Sequence, residues 1–261
     1  MNSYPPDPNI AEQNDPENQA YFSPPATEPD RFRPYAVWAL IACNVLMFLL
    51  SGSRGGWGET DSETLFHLGS LFAPSVWQGQ WWRLGSAMFL HGGILHLGLN
   101  VWALHNLGAE LERIYGSRSF LALYFGAGWL GGLASLIWSG NSVGASGAVF
   151  GIAGAWLAIA LRYKAYFREF GAQVLGVVAI NLVIGFQLPG IDSSAHLGGL
   201  VGGFLLGNFL PNLLPEFRAT PQRWAATIGL LILFLVATPV AVAISRSVLE
   251  SEFSNAAFGY R

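Results

Sequence analysis

The chain has 261 residues, of which 52% are hydrophobic and 11% are charged, and its formal net charge is −3. Soluble domains carry about 25% charged residues, so this composition excludes an ordinary soluble protein and indicates one that lies in a lipid bilayer. The small net charge, with no basic cluster, argues against nucleic acid as a partner. The single cysteine, Cys43, leaves no partner for an internal disulfide.

Residues 1–33 differ in composition from the rest of the chain. They combine acidic residues and prolines with few apolar side chains, so they cannot bury enough surface to offset the entropy of ordering. We predict a disordered, acidic, proline-rich cytoplasmic tail. The segment lacks the cationic start and apolar core of a signal peptide, and its acidity is the opposite of what a mitochondrial transit peptide shows.

Seven apolar runs follow the tail and predict seven transmembrane helices. A helix of about 20 apolar residues crosses the hydrocarbon core of a bilayer. The predicted spans cover residues 34–53, 86–108, 119–138, 145–162, 170–188, 193–213 and 224–245. The sequence therefore predicts an all-α helical membrane bundle over residues 34–245, followed by a C-terminal tail over residues 246–261.

The distribution of Lys and Arg predicts the orientation of these spans. With the amino terminus in the cytoplasm, the cytoplasmic side receives Arg31, Arg33, Arg113, Arg118, Arg162, Lys164, Arg168, Arg218 and Arg223. The outer side receives only Arg54, Arg83, Arg246 and Arg261. The second, fourth and sixth spans then begin on the outer side, and each carries a serine or histidine there. Ionisable residues that meet at one depth in a membrane indicate a functional site.

A serine stands between two glycines at the predicted start of the fourth span, in Gly144-Ala145-Ser146-Gly147. Glycines allow a tight turn into a helix and close approach of a substrate. Unpaired N–H groups and the dipole at a helix start favour a developing negative charge, as a serine nucleophile requires. A serine that merely caps a helix in a glycine-rich turn explains the motif equally well.

His196 is the best candidate for a base that activates Ser146, because no Asp or Glu lies within the second, fourth or sixth predicted span. The alternative is a buried histidine bonded to a backbone carbonyl. Glycines four residues apart on the fourth and sixth spans favour the base, because they let two membrane helices approach closely. Generic helix packing would give the same glycines, which are Gly147, Gly151, Gly199, Gly203 and Gly207.

His91, His96 and Asn100 stand near the outer start of the second span. His96 and Asn100 are four residues apart and share a helix face, from which side-chain donors can join the Ser146 backbone N–H around an oxyanion. A metal site is the alternative. Zinc metalloproteases use two histidines four apart with a glutamate between them, whereas His91 and His96 are five apart without an acid. We therefore predict neither a metal nor a cofactor.

Four motifs occur together in this order. They are Trp82-Arg83, then His91-x4-His96-x3-Asn100, then Gly-Ala-Ser-Gly at residues 144–147, then Ala-His-Leu-Gly-Gly at residues 195–199. Over about residues 34–245 the chain resembles the rhomboid family of intramembrane serine proteases. The resemblance implies a six-helix core plus a C-terminal seventh helix. It also implies that the outer loop carrying Trp82-Arg83 lies partly in the membrane.

The same resemblance implies roles for individual residues. Ser146 and His196 are the expected catalytic dyad. His96, Asn100 and the Ser146 backbone N–H are the expected oxyanion hole. His91 and Gly144 support the site, and Phe150 stacks on the dyad histidine. Glu112-Arg113-x-Tyr115-Gly116 resembles the polar turn at the inner end of the second helix.

The implied function is hydrolysis of peptide bonds in or near transmembrane segments, with membrane proteins as substrates and the lipid bilayer as surroundings. The expected location is the cytoplasmic membrane of a bacterium, with the active site and carboxyl terminus toward the outer face. One alternative is a non-catalytic rhomboid-like protein that binds or escorts client helices, which the presence of both Ser146 and His196 disfavours. Another is a polytopic transporter, which would spread polar groups through the bilayer in related halves.

Overall fold

The computed structural model describes residues 32–55, 59–163, 174–176, 178–179, 192–212 and 218–258, without the side chains of residues 53–55 and 251–258. Almost all of the predicted tail over residues 1–33 and most of the predicted fifth span over residues 170–188 lie outside the described residues. Those two predictions therefore stay predictions.

The described part of the chain is a set of α-helices with one short β-ladder. The helices are α1 (Tyr35–Gly55), α2 (Ser62–Leu68), α3 (Ala73–Trp77), α4 (Arg83–Ser86), α5 (Ile94–Trp138), α6 (Ser146–Arg162), α7 (Ser193–Phe209) and α8 (Pro221–Phe258), with a 3₁₀ turn at Ala87–Phe89. The strands β1 (Leu71–Phe72) and β2 (Asn141–Ser142) pair antiparallel. The predicted all-α helical membrane bundle is confirmed.

The long helix α5 contains two of the predicted spans, which meet at Gly116. Gly116 has φ +71°, which costs glycine little, and it divides α5 into segments over residues 94–115 and 117–138. Just before this break, the fully buried Glu112 accepts hydrogen bonds from Ala36 N at 3.0 Å and Val37 N at 2.9 Å. These N–H groups have no partner within α1 because they lie in its first turn. A carboxylate from α5 therefore caps α1.

Several boundaries differ from the predicted ones. The second span continues to residue 115 rather than ending at residue 108, and the sixth ends at Phe209 rather than at residue 213. The second span begins at Ile94 rather than at residue 86, because residues 83–89 form α4 and the 3₁₀ turn and the chain is extended at Leu90. The seventh helix continues to Phe258, where we expected a tail from residue 246. The residues there are compatible with a helix, and Arg246 pairs with Glu250 one turn further on.

Helices α6 and α7 pack closely along matched glycines. A Cβ added to Gly199 would overlap the carbonyl oxygen of Gly147, and a Cβ added to Gly203 would overlap that of Gly151. One turn further, Gly207 continues the contact against the backbone of α6. A larger residue at Gly199 or Gly203 would push the helices apart. The predicted close approach of the fourth and sixth spans is confirmed.

Between α1 and α5 lies a loop, residues 59–93, which is called the outer loop after the side on which it was predicted. It is organised around Arg83. This side chain is 4% exposed, and its Nη1 donates to the carbonyls of Phe66 at 2.8 Å and Ser70 at 2.9 Å. Its Nε donates to Gln80 Oε1 at 2.7 Å. One guanidinium therefore joins three parts of the loop, and the loop takes a defined shape beside the bundle.

Among the described residues, three helices are long and apolar enough to cross a membrane, over Tyr35–Gly52, Ile94–Trp138 and Pro221–Glu250, and the shorter α6 is also apolar. Large apolar side chains lie exposed on several helices, among them Leu46, Leu95, Trp102, Ile232 and Val236. So many exposed large apolar side chains are unusual on soluble monomers, and a lipid bilayer accommodates them.

Candidate active site

Ser146 is the first residue of α6 and follows a constrained turn. Gly144 has φ +124°, which residues with a side chain rarely adopt, and its N–H donates to the carbonyl of Ala87 at 2.9 Å. The next residue, Ala145, is fully buried. The turn places Ser146 where N–H groups without helical partners and the helix dipole stabilise negative charge.

His196 lies in the first turn of α7 and is 6% exposed. Asp192 caps this helix, since its carboxylate accepts the N–H of Ala195 at 3.1 Å. The imidazole is stacked on Phe150, with ring centroids 4.2 Å apart and planes inclined by 7°. Phe150 follows Ser146 by four residues on α6, so the two share a helix face. The stack therefore holds His196 on the side of α6 that carries Ser146.

The starts of α6 and α7 meet beside Gly131 in the second half of α5. A Cβ added to Gly131 would lie 2.8 Å from the carbonyl oxygen of Ala195 and 3.5 Å from Cα of Gly147. These are the neighbours of His196 and Ser146, so three helices converge at this point. The two side chains are not hydrogen-bonded to each other, and His196 Nδ1 has no partner among the described residues. Catalytic hydrogen bonds often form only when substrate is present.

His96 faces the turn before Ser146. A Cβ added to Gly144 would lie 2.8 Å from His96 Nε2 and 3.6 Å from Ser146 Oγ. The other ring nitrogen, Nδ1, accepts the N–H of Gly92 at 3.4 Å. In a neutral imidazole this assigns the proton to Nε2, because one nitrogen donates while the other accepts. His96 therefore presents an N–H donor beside the Ser146 turn.

His91 and Asn100 flank His96. The ring of His91 is fully buried and edge-on to that of His96, with centroids 5.1 Å apart and planes at 68°. Asn100 is 5% exposed, and its Nδ2 donates to the carbonyl of His96 at 2.9 Å. One of its two N–H groups is thus used within α5. The predicted residues of the second span lie together, and His96 is the one shown to face the Ser146 turn.

A small cavity lies beside Ser146, between the outer loop, α5 and the starts of α6 and α7. Most of its wall is glycine or small side chains, and the residues that line it are Leu71, Ala87, Met88, Gly128, Gly132, Ser142, Gly144, Gly147, Ala148 and Ala195. Its volume is about 20 Å³, so the cavity suits a small side chain better than a large one.

Contacts from the outer loop hold the segment before Ser146, and they were not predicted from the sequence. In the ladder, Leu71 of β1 is opposite Ser142 and Phe72 is opposite Asn141. Next to the ladder, the N–H of Ala73 donates to the carbonyl of Gly140 at 2.7 Å. Strands of two residues leave no periodic pattern in a sequence. The Gly-x-Gly-x-x-Gly-Gly run at residues 126–132 was the available signal for close packing of α5.

Comparison with known proteins identifies the family. The model of the Rhomboid domain matches residues 78–212, which is half of the chain and includes every predicted site residue. The chain belongs to the rhomboid family. It is therefore a multi-pass membrane protein, and the family is one of intramembrane serine proteases. The first span and the seventh span lie outside the matched residues.

Three rhomboid relatives show how much of this chain is shared. Rhomboid protease GluP of Bacillus subtilis is 40% identical over 77% of this chain and 39% of its own length. RHOMBOID-like protein 5 of Arabidopsis thaliana is 40% identical over 59% of this chain and 52% of its own length. Rhomboid-like protease 3 of Toxoplasma gondii is 33% identical over 65% of this chain and 66% of its own length. The chain thus spans about two fifths to two thirds of these relatives.

Proposed function

We propose that this rhomboid protein is an intramembrane serine endopeptidase with Ser146 as nucleophile and His196 as general base. The observation that carries the proposal is the stack of His196 on Phe150, one helical turn from Ser146. The matched glycines of α6 and α7 add support, since they bring the starts of both helices within reach. Two relatives, Rhomboid protease GluP and Rhomboid-like protease 3, are named as proteases.

The reaction proceeds through an acyl-enzyme. Ser146 Oγ attacks the carbonyl carbon of the scissile bond while His196 takes the hydroxyl proton. When the tetrahedral intermediate collapses, the C–N bond breaks and His196 gives that proton to the leaving amine. A water molecule then attacks the ester carbonyl and His196 accepts its proton. The C–O bond to Ser146 breaks, the carboxylic acid product leaves, and the proton returns to Ser146 Oγ.

The developing oxyanion is stabilised by donors that are present before substrate binds. We assign this role to the Ser146 backbone N–H, to His96 Nε2–H and to the side chain of Asn100. Fixed donors in a water-poor site stabilise the transition state without reorganising, which makes them effective. In the part of the chain that the structure describes, no acidic side chain is hydrogen-bonded to the imidazole of His196, so the Phe150 ring fixes its orientation. His91 packs against His96.

The proposed substrates are transmembrane proteins cut near the outer end of a helix, after a small residue. The small volume of the cavity beside Ser146, about 20 Å³, supports the preference for a small residue. An intact helix keeps its carbonyls hydrogen-bonded, so the substrate must unwind locally before Ser146 reaches one. The excess of Lys and Arg on one side supports an outward-facing site in a bacterial cytoplasmic membrane.

The test is cleavage of a model transmembrane substrate by the purified protein in detergent. Wild type should produce two fragments, whereas Ser146→Ala and His196→Ala should each lose activity by several orders of magnitude with little change in melting temperature. An intact substrate with folded wild type, or equal cleavage by Ser146→Ala, would refute the proposal.

A further inference from the structure

We infer that Ser245, on the seventh helix, is a positioning residue for Ser146 and acts through the outer loop. The inference rests on the proposed role of Ser146 as nucleophile. It gives α8 a part in the reaction, although this helix lies outside the residues that match the Rhomboid domain and outside the site itself.

Ser245 is fully buried and joins three elements. Its Oγ donates to the carbonyl of Leu136 in α5 at 2.6 Å. The same oxygen accepts the indole N–H of Trp77, the last residue of α3 in the outer loop, at 3.0 Å. In a bilayer, a buried donor or acceptor that loses its partner finds no water to replace it. Loss of the hydroxyl would therefore remove the hydrogen-bonded link between the loop and both helices.

An apolar cluster reinforces this junction. Ala241 and Leu249, one turn on either side of Ser245 on α8, pack in a cluster with residues of the outer loop and of α5. Its other buried members are Leu71, Ala73, Val76, Leu84, Ala87, Leu133 and Leu136. α8 thus fixes the loop through side chains as well as through the hydrogen bond.

Three of the clustered loop residues hold the segment that leads to Ser146. The backbone of Leu71 belongs to the ladder with β2, and Ala73 N donates to the carbonyl of Gly140 at 2.7 Å. Ala87 accepts the N–H of Gly144 at 2.9 Å. The side chains of these residues belong to the cluster that contains Ala241 and Leu249 of α8, while their backbones restrain residues 140–144. A shift of the loop therefore moves the turn that places Ser146.

Thr238 provides a matched control on the same helix. It is 1% exposed, lies two turns before Ser245, and its Oγ1 accepts the indole N–H of Trp129 in α5 at 3.2 Å. It joins α8 to α5 but makes no hydrogen bond to the outer loop. Thr238→Val removes a comparable contact and should affect stability alone.

The experiment compares Ser245→Ala, Ser245→Thr and Thr238→Val in the full chain. Ser245→Ala should lower kcat about tenfold with little change in KM, because misplacing a reacting group by a fraction of an ångström is enough for such a loss. Ser245→Thr keeps the hydroxyl and should restore kcat. Thr238→Val should lower the melting temperature and leave kcat at the wild-type value. A wild-type kcat for folded Ser245→Ala would overturn the inference.

Amide hydrogen exchange tests the inference without relying on activity. In Ser245→Ala the amides of Ala73 and Gly144 should exchange faster than in wild type and in Thr238→Val, since their hydrogen bonds join the loop to the Ser146 turn. Unchanged exchange at both amides would refute the coupling. If Ser245→Ala does not fold, Trp77→Phe takes its place, because it removes the hydrogen bond that the indole donates and keeps an aromatic ring at this position. If wild type is inactive but Ser245→Ala still exchanges faster than wild type at these amides, the proposed function is refuted and the coupling is supported.

Discussion

Phe150 and His196 lie face to face, with ring centroids 4.2 Å apart and planes inclined by 7°. The two residues belong to different helices, α6 and α7, and Phe150 follows Ser146 by one turn. The stack therefore fixes the proposed base relative to the helix that carries the proposed nucleophile.

Replacing Phe150 tests whether this stack matters for the reaction. Phe150→Leu should lower kcat between about two- and tenfold, because an aromatic pair contributes about 0.5–1.5 kcal/mol beyond its buried area. Phe150→Tyr keeps the ring and should retain most of the activity. Steady-state kinetics on the two folded variants measure this difference. Equal kcat values for Phe150→Leu and Phe150→Tyr would show that the aromatic ring is not needed for the reaction.

A second prediction concerns the proposed oxyanion hole: loss of the His96 side chain should lower kcat more than loss of the Asn100 side chain. His96 Nε2 lies beside the Gly144 turn, whereas Asn100 uses one N–H on the carbonyl of His96. Removal of one oxyanion donor costs about 10²–10³ in kcat, so His96→Ala should fall in this range and Asn100→Ala should lose less. KM should change little in both. A double variant that is folded and has full kcat would remove both residues from the site.

Close packing of α6 and α7 makes a third prediction. Gly199→Ala should destabilise the protein by about 1–3 kcal/mol or more, because the added Cβ overlaps the carbonyl oxygen of Gly147 and cannot move away from it. Gly229→Ala is the control, since its Cβ meets no atom within 4 Å and alanine favours a helix by about 0.5–1 kcal/mol. Thermal unfolding in detergent measures both, and a Gly199 variant as stable as wild type would contradict the packing.

The cap of α1 makes a fourth prediction. Glu112→Gln keeps one acceptor oxygen but puts an amide donor against N–H groups, so we expect a loss of about 1–3 kcal/mol in stability. Glu110→Gln is the matched control, because Glu110 pairs with Arg113 on the partly exposed surface and such pairs contribute about 1 kcal/mol or less. Kinetics of the folded Glu112 variant should stay near wild type. Equal melting temperatures for the two variants would contradict the capping role.

Short sequence motifs and apolar runs were enough to predict the helices that surround the candidate site. The glycines of the fourth and sixth spans have the register that the structure uses, and α6 and α7 begin within one residue of the predicted positions. Ser146 and His196 were recognisable because each stands at a helix start beside a glycine motif. Gly116 separates the two segments of α5. It lies between residues 108 and 119, where the sequence predicted the connection between the second and third spans.

Contacts between distant segments could not be predicted in the same way. Glu112 caps a helix 75 residues away, and Trp77 reaches Ser245 across 168 residues. Hydropathy does not reveal such pairs, because in a membrane the faces toward lipid and toward protein are both apolar. The outer loop was therefore partly assigned to the second span, and the continuation of α8 past residue 245 was predicted as a tail.

The most direct test of the catalytic assignment is covalent labelling of Ser146 by a fluorophosphonate, followed by intact-mass and peptide mass spectrometry. The probe reacts with a serine only when a base raises its nucleophilicity. We predict one adduct on wild type, located at Ser146, and its loss in both Ser146→Ala and His196→Ala. Adduct at another serine, or labelling of folded His196→Ala at the wild-type rate, would contradict a Ser146–His196 dyad.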